Sequence, residues 1–325
     1  MSLEEEQGGS HPQNLEPSEL GTKEYHDRGA DCGICSWERY YDSSLAHFLS
    51  SKRDGRRRRD EQQADGEDED EDDDDGQGED DDSDIGTSWF SEHNAPQKVL
   101  DFMASEKFPL APDYSQAGRE SSILDLGTGN GSMLTLLREE GGFSGPMVGV
   151  DYSVKSIELA RQLAGQGDGG QGQDQGQGQG QGKGYEGIRF EVWDILDPRH
   201  EADIRSGMFG KEVDWFPFEQ GGFDIVLDKG TFDAVSLSAE GGSRRICEKY
   251  PGVALGLVRK GGFLIITSCN WTESELVSWF TAKDHGDGDG DGDCFTVYDR
   301  VEYPKFRFGG REGQGVCTIC FQRNR

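Results

Sequence analysis

Apolar residues gather into strand-length runs only from about residue 121 onward, where they alternate with helical patterns. The runs at 122–126, 147–151, 188–194, 223–228 and 262–268 are nearly continuous in aliphatic and aromatic residues, as strands buried on both faces of a parallel sheet are. Between them, 133–140 and 154–164 carry helical spacing, with Val154, Ile157 and Ala160 on one face. Strict alternation of strand and helix predicts an α/β fold, a parallel sheet covered by helices on both sides. The end of the chain breaks the alternation. After a helix over 273–280, two strand-like runs at 295–303 and 316–322 are separated only by a loop carrying Gly309, Gly310, Gly313 and Gly315. A link without a helical pattern does not make a parallel crossover, so these two pair antiparallel. The prediction is seven strands: five parallel, then a C-terminal antiparallel hairpin.

Composition removes much of the remaining chain from any packed core. The 325 residues include 48 glycines and are only 32% apolar. Three tracts concentrate the bias: charged residues over 52–84, a Gly/Gln repeat within 165–186 and a Gly/Asp repeat at 284–293. None can bury enough apolar surface to offset the entropy of ordering its backbone. The expected layout is therefore a disordered segment 1–20, a helical segment 21–48 docked on the catalytic domain, a disordered charged linker 49–86, and one domain over 87–325 interrupted by the inserts 165–186 and 284–293. The net charge of −31 reflects mainly a tail, because 17 of the 25 residues from Asp60 to Asp84 are acidic. Such runs are solvated linkers or draws for a basic partner. The folded part has no basic stripe of the kind that phosphate contacts need, which argues against direct nucleic-acid binding. The basic block Arg56–Arg59, beside Lys52 and Arg53, reads as linker or as a nuclear address.

The first thirteen residues are polar and acidic and there is no apolar run of 18, so no secretory signal and no membrane span is expected. Seven cysteines at irregular spacing fit free thiols in a reducing compartment. A soluble, cytoplasmic monomer is the expectation. Two Cys-x-x-Cys pairs, Cys32/Cys35 and Cys317/Cys320, raise zinc as a candidate. The second pair lies in a strand-like run, where residues three apart point to opposite faces. Asp287-Gly-Asp-Gly-Asp-Gly-Asp293 imitates the start of a calcium loop, but Tyr298 stands where a bidentate Glu is required. No metal site is expected.

The chemistry gathers at strand ends. The first strand runs into Asp125-Leu-Gly-Thr-Gly-Asn-Gly131, where Gly127, Gly129 and Gly131 permit a tight turn into a helix and let a ligand approach the main chain. Thr128 and Asn130 complete the turn. A methionine-derived zwitterion suits it, with its amino group on Asp125 or the turn carbonyls and its carboxylate on helix-terminal N–H groups. The second strand closes on Asp151, followed by Tyr152; a carboxylate there can accept both hydroxyls of a ribose. The third ends at Asp194-Ile195. In seven-stranded methyltransferases an Asp at this place takes the exocyclic amine of adenine, and a neighbour such as Ile195 covers the ring. Glycine turn and acids together indicate S-adenosylmethionine and a seven-stranded, Rossmann-like class I methyltransferase sheet, rather than a dinucleotide site with Gly-x-Gly-x-x-Gly. The fourth strand ends in Asp228-Lys-Gly-Thr-Phe-Asp233. Asp228 is the expected catalytic carboxylate, placed to orient an attacking amine, or else a cap for the following helix. Lys229 and Asp233 read either as site residues or as helix-surface charges.

Several segments together resemble one family, the fungal branch of the protein-lysine methyltransferases that act on translation elongation factor 1A. These are Gly21-Thr-Lys-Glu-Tyr25, Trp37-Glu-Arg-Tyr-Tyr-Asp42, Trp89-Phe90, the glycine turn, Leu227-Asp-Lys-Gly-Thr-Phe-Asp-Ala234, Thr267-Ser-Cys-Asn-Trp-Thr272 and Tyr303-Pro. The resemblance covers nearly the whole chain outside the low-complexity tracts. It implies methyl transfer from S-adenosylmethionine to a lysine of the elongation factor, Trp89 and Phe90 near the cofactor, and Asp228 and Asn270 lining the substrate side. The stretch 26–36 splits one family segment in two, and 198–220 is longer than a usual connection. Two other classes stay open at this point: a methyltransferase for another protein or a small molecule, and a non-catalytic interaction protein of the same fold.

Overall fold

The computed structural model describes residues 37–64, 90, 93–114, 116–165, 187–197, 213–237, 246–282, 293–308, 311–313 and 315–325. The segment 1–20, the Cys32/Cys35 pair, the acidic tract 65–86, Trp89, nearly all of the Gly/Gln insert and the Gly/Asp repeat up to residue 292 lie outside the described residues. The strands are β1 (Ile123–Leu126), β2 (Met147–Asp151), β3 (Ile188–Val192), β4 (Phe223–Lys229), β5 (Val258–Ser268), β6 (Phe295–Val301), β7 (Phe306–Phe308), β8 (Arg311–Gly313) and β9 (Cys317–Arg323). The α-helices are α1 (Trp37–Ala64), α2 (Ala95–Met103), α3 (Gln116–Arg119), α4 (Ser132–Glu139), α5 (Val154–Leu163), α6 (Thr231–Ser236), α7 (Tyr250–Leu257) and α8 (Glu273–Thr281).

Seven strands form one sheet in the order β3-β2-β1-β4-β5-β9-β6. The first five are parallel, and β9 lies between β5 and β6, antiparallel to both. The expected terminal pair is thus present, and its connection carries a small hairpin of its own, β7 with β8. β3 ends at Val192 rather than at Asp194, after which Trp193 N–H still donates to the Asp151 carbonyl at 2.9 Å.

Period-two alternation assigns side chains to two cores. Ile123, Ile225, Leu227 and Ile265 face α2, α4 and α5, where Val99, Leu100, Leu134, Leu137 and Ile157 meet them. Leu124, Leu126, Val226 and Leu264 face α6, α7 and α8, which contribute Phe232, Tyr250, Leu257, Leu276 and Trp279. Cys317 belongs to the second core and Cys320 to the first, so this Cys-x-x-Cys pair straddles the sheet. Local signals start the helices. Ser153 accepts from Ser156 N–H at 3.0 Å to cap α5, and Thr272 with Glu275 forms a capping box on α8.

The layout needs one correction. α1 continues to Ala64, well past residue 49 where the charged linker was expected to begin. Its sequence there lacks proline and is rich in Lys, Arg, Glu and Gln, all good helix formers, and their propensity extends the helix beyond its docked part.

Phe232 sits at the centre of the second core, fully buried, with the rings of Tyr250, Trp271, Trp279 and Phe280 centred 5.1–5.9 Å from its own. Phe232→Ala is expected to lower stability by about 3–5 kcal/mol through lost contacts and a cavity. Urea unfolding measures this, and a loss under about 1 kcal/mol would mean that the cluster collapses onto the gap.

Candidate active site

β1 and β4 are adjacent strands from which the chain winds outward in opposite directions, and such a switch point leaves a crevice at the C-terminal strand ends. The glycine turn opens into it. Gly127, Gly129 and Gly131 all have left-handed backbones, with φ of 60°, 59° and 78°. Their bare sides serve different ends. A Cβ on Gly127 would stand 2.1 Å from Thr231 Oγ1, and one on Gly131 would stand 2.6 Å from the Phe190 ring, so both glycines are required by packing within the protein. At Gly129 the nearest atom is the hydroxyl oxygen of Tyr41, on α1, 2.7 Å from where a Cβ would lie.

Two carboxylates hold the turn from below. Asp125 accepts from Thr128 Oγ1 at 2.7 Å, and Asp151 accepts from Gly129 N–H at 3.1 Å and Ser153 N–H at 2.9 Å. Ser156 adds a bond to the Gly129 carbonyl at 2.7 Å, and Asn130 Oδ1 accepts from Ser132 N–H at the start of α4. Burial pushes both Asp125 and Asp151 up to about 6, and the hydrogen bonds only partly oppose it. A carboxylate has about four acceptor sites. Each therefore keeps capacity for a ligand's amino or hydroxyl donors. These residues fit an adenosyl-methionine ligand. Tyr152 is half-buried, its hydroxyl pushed up by burial and then by the charges of Asp151, Glu38 and Asp194. Asp194 lies just past β3 and accepts from Leu196 N–H at 2.9 Å, while Ile195 packs against the α6–α8 core. The structure thus gathers Asp125, Thr128, Gly129, Asp151, Tyr152 and Asp194 at three neighbouring strand ends.

Asp228 takes up the helix-cap reading. Alternation along β4 directs it, with Val226, toward α6–α8, and it is only 1% exposed. There it accepts from Thr231 N–H at 2.8 Å, Phe232 N–H at 3.2 Å and the Tyr250 hydroxyl at 2.6 Å. The helix-cap role takes most of the acceptor capacity of this carboxylate. Burial still outweighs these bonds and pushes it up to about 7.

Two residues that read equally as surface charges are structural. Asp233 is buried and accepts from the Ser268 hydroxyl at 2.5 Å and Cys269 N–H at 2.8 Å, tying α6 to the exit of β5. Ser268 Oγ in turn accepts from Asn270 N–H at 3.2 Å and Trp271 N–H at 3.0 Å, which leaves Cys269 and Asn270 exposed on a fixed rim. The Cys269 thiol, pushed up to about 12 by burial and Asp233, stays protonated and is no nucleophile. Lys229 faces the other way. Its ammonium stands 5.4 Å from the ring centroid of Phe90, which is a core aromatic packed against Gly230. Thr231 donates to the Leu126 carbonyl at 2.7 Å and so joins the Asp-Lys-Gly-Thr segment to the glycine turn. Tyr41, Thr231, Tyr250 and Ser268 were not in the expected site, and Asp233 stood there only as one of two readings. Their only signal in the sequence is that all except Tyr250 fall inside the segments that carry the resemblance.

Asp125, Asp151 and Asp228 are each raised from 3.8 in the folded state. The stability they contribute is complete below about pH 4 and is lost as pH rises through 6 to 7. The ligand-free protein is expected to melt at a lower temperature at pH 8 than at pH 5, with a shallower fall for Asp228→Asn. Parallel profiles for the two proteins would show that Asp228 is ionised without penalty.

The methyltransferase domain family matches residues 118–297. Protein-lysine N-methyltransferase EFM4 of Saccharomyces cerevisiae is 34% identical over 73% of this chain and 83% of its own length. Protein-lysine N-methyltransferase efm4 of Schizosaccharomyces pombe is 32% identical over 74% and 84%, and EEF1A lysine methyltransferase 2 of Homo sapiens is 29% identical over 74% and 77%. The methyl donor is S-adenosylmethionine, and the glycine turn is the candidate site for it. With the domain match across the glycine turn and the fungal relatives aligned over most of their length, the chain belongs to the family of protein-lysine N-methyltransferases.

Proposed function

We propose that this enzyme transfers methyl groups from S-adenosylmethionine to a lysine ε-amine of translation elongation factor 1A, acting in the cytoplasm. The names of its relatives, EFM4 and EEF1A lysine methyltransferase 2, support the substrate. The observation that carries the reading in the structure is the bracket made by Asp233. It fixes the Ser-Cys-Asn-Trp rim to α6, whose first residue, Thr231, is bonded to the glycine turn. Donor site and rim are thereby one rigid unit.

The bound donor supplies an electrophilic methyl group on a sulfonium. The protein supplies position. A lysine amine attacks only as the neutral base, with its lone pair along the breaking bond. On the exposed rim the Asn270 amide oxygen accepts a hydrogen bond from the incoming amine and aligns it, and the displaced proton leaves to solvent. Asp151 holds the nucleoside end through the acceptor capacity left after Gly129 and Ser153 are satisfied.

Incubating the enzyme with labelled S-adenosylmethionine and purified elongation factor 1A, then mapping the label by mass spectrometry, tests the reading. Label on a lysine is expected. Label found only on another acceptor would overturn the substrate. Asn270→Ala is expected to lower kcat by about 10–100-fold without changing donor affinity. Asp151→Ala is expected to weaken donor binding by at least about tenfold. Wild-type donor affinity should itself decline below about pH 6 as Asp151 takes up its proton. Affinity that is flat from pH 5 to 8 would remove Asp151 from the contact.

A further inference from the structure

The methyltransferase domain match begins at residue 118, yet a helix far upstream reaches the donor site. α1 lies along α5, with Tyr41, Leu45 and Phe48 packed on Leu159 and flanked by Leu163. At the edge of this seam Lys155 reaches Asp42 at 3.6 Å, and the Trp37 and Tyr41 rings stack with centroids 6.2 Å apart. The seam sets Tyr41 across the turn. Its hydroxyl oxygen lies against Gly129, the one glycine of the three whose bare side is not filled by the domain's own packing.

We infer that Tyr41 is a donor-site residue: α1 forms the roof of the crevice, and the Tyr41 hydroxyl hydrogen-bonds the S-adenosylmethionine molecule where it lies on the Gly129 turn. This rests on the turn being the donor site. Three observations support it. Tyr41 is only 8% exposed although it belongs to a helix that touches the domain along a single face. Its hydroxyl is directed at the backbone that must approach the ligand, not at solvent. Its charged surroundings are the two carboxylates of the site, Asp151 and Asp125, which together with burial keep the phenol protonated and able to donate. The hydroxyl stands in contact with the turn, so a ligand seated there displaces it outward and then lies beneath it, shielded from water. Because the roof rests on a short apolar seam, it can lift to admit the ligand, and the ligand then holds it down.

Calorimetric titration of the full chain with S-adenosylhomocysteine, the demethylated product, tests this without reference to activity. The wild type is expected to bind, and Tyr41→Phe, which keeps the ring and the seam, to bind about tenfold more weakly with an unchanged melting temperature for the free protein. Leu45→Ala, which loosens the seam without touching the turn, is expected to weaken binding as well. Saturation with the product should slow hydrogen exchange of the α1 backbone between residues 40 and 50. Tyr41→Phe affinity within twofold of the wild type overturns the inference whatever the exchange data show. A wild type that fails to bind the product would remove the donor site itself, and the inference with it.

Discussion

Across the switch point between β1 and β4, the Thr231 hydroxyl donates to the Leu126 carbonyl at 2.7 Å, and much of the site hangs on that bond. Leu126 is the last residue of β1, and its carbonyl faces the place where the chain leaves the sheet for the glycine turn. A β-turn of glycines alone would be free to take several shapes, since glycine loses the most conformational entropy on folding. Thr231 narrows that freedom in two ways: its hydroxyl fixes the carbonyl, and its bulk fills the space beside Gly127 that any side chain there would need. Thr231 is in turn held by its own N–H on Asp228, and Asp228 by Tyr250. The crevice thus inherits its shape from a chain of buried polar contacts that starts in the α6–α8 core.

Buried carboxylates are the recurring device. Asp125, Asp151, Asp228 and Asp233 all lie below 8% exposure, and each accepts hydrogen bonds from backbone, hydroxyl or both. For all four, desolvation outweighs those bonds and raises the acid above its ordinary range. Two of the four secure the protein to itself, Asp228 at the start of α6 and Asp233 at the exit of β5. The other two lie at the glycine turn, where their remaining acceptor capacity suits a ligand rich in hydroxyl and ammonium donors. Binding and ionisation are therefore coupled at Asp125 and Asp151.

The fold was legible because its signals are local. The buried strands β1, β2, β4 and β5 and the glycine turn each announce themselves within a few residues, whereas β3, at the sheet edge, alternates buried and exposed positions instead of being buried on both faces. The opposite faces of Cys317 and Cys320 follow from strand geometry alone. The site was legible in part. That Asp125, Asp151 and Asp194 meet follows from parallel strands ending side by side. Period two also puts Asp228 and Lys229 on opposite faces, but it does not say which face borders the crevice. The bond between Asp233 and Ser268 spans 35 residues and has no local trace, so a buried clamp read equally well as a surface charge. Tyr41 lay further out of reach still, since nothing in a helix 88 residues upstream indicates which turn it covers.

The inward turn of Asp228 bears on the chemistry of a lysine acceptor. A carboxylate beside an arriving amine stabilises its ammonium form, and each unit by which that raises the amine's pKa makes the reactive neutral form tenfold scarcer. Orientation gained in this way is offset by a loss of nucleophile. A neutral amide such as Asn270 accepts a hydrogen bond from the amine with a far smaller preference for the ammonium. On the proposed reading the acids lie under the donor and inside the core, and an uncharged amide stands on the exposed rim. Asp233 has its own share in this arrangement: by bonding Ser268 and Cys269 N–H from within the core, it fixes the rim without bringing its charge to the surface where the amine arrives.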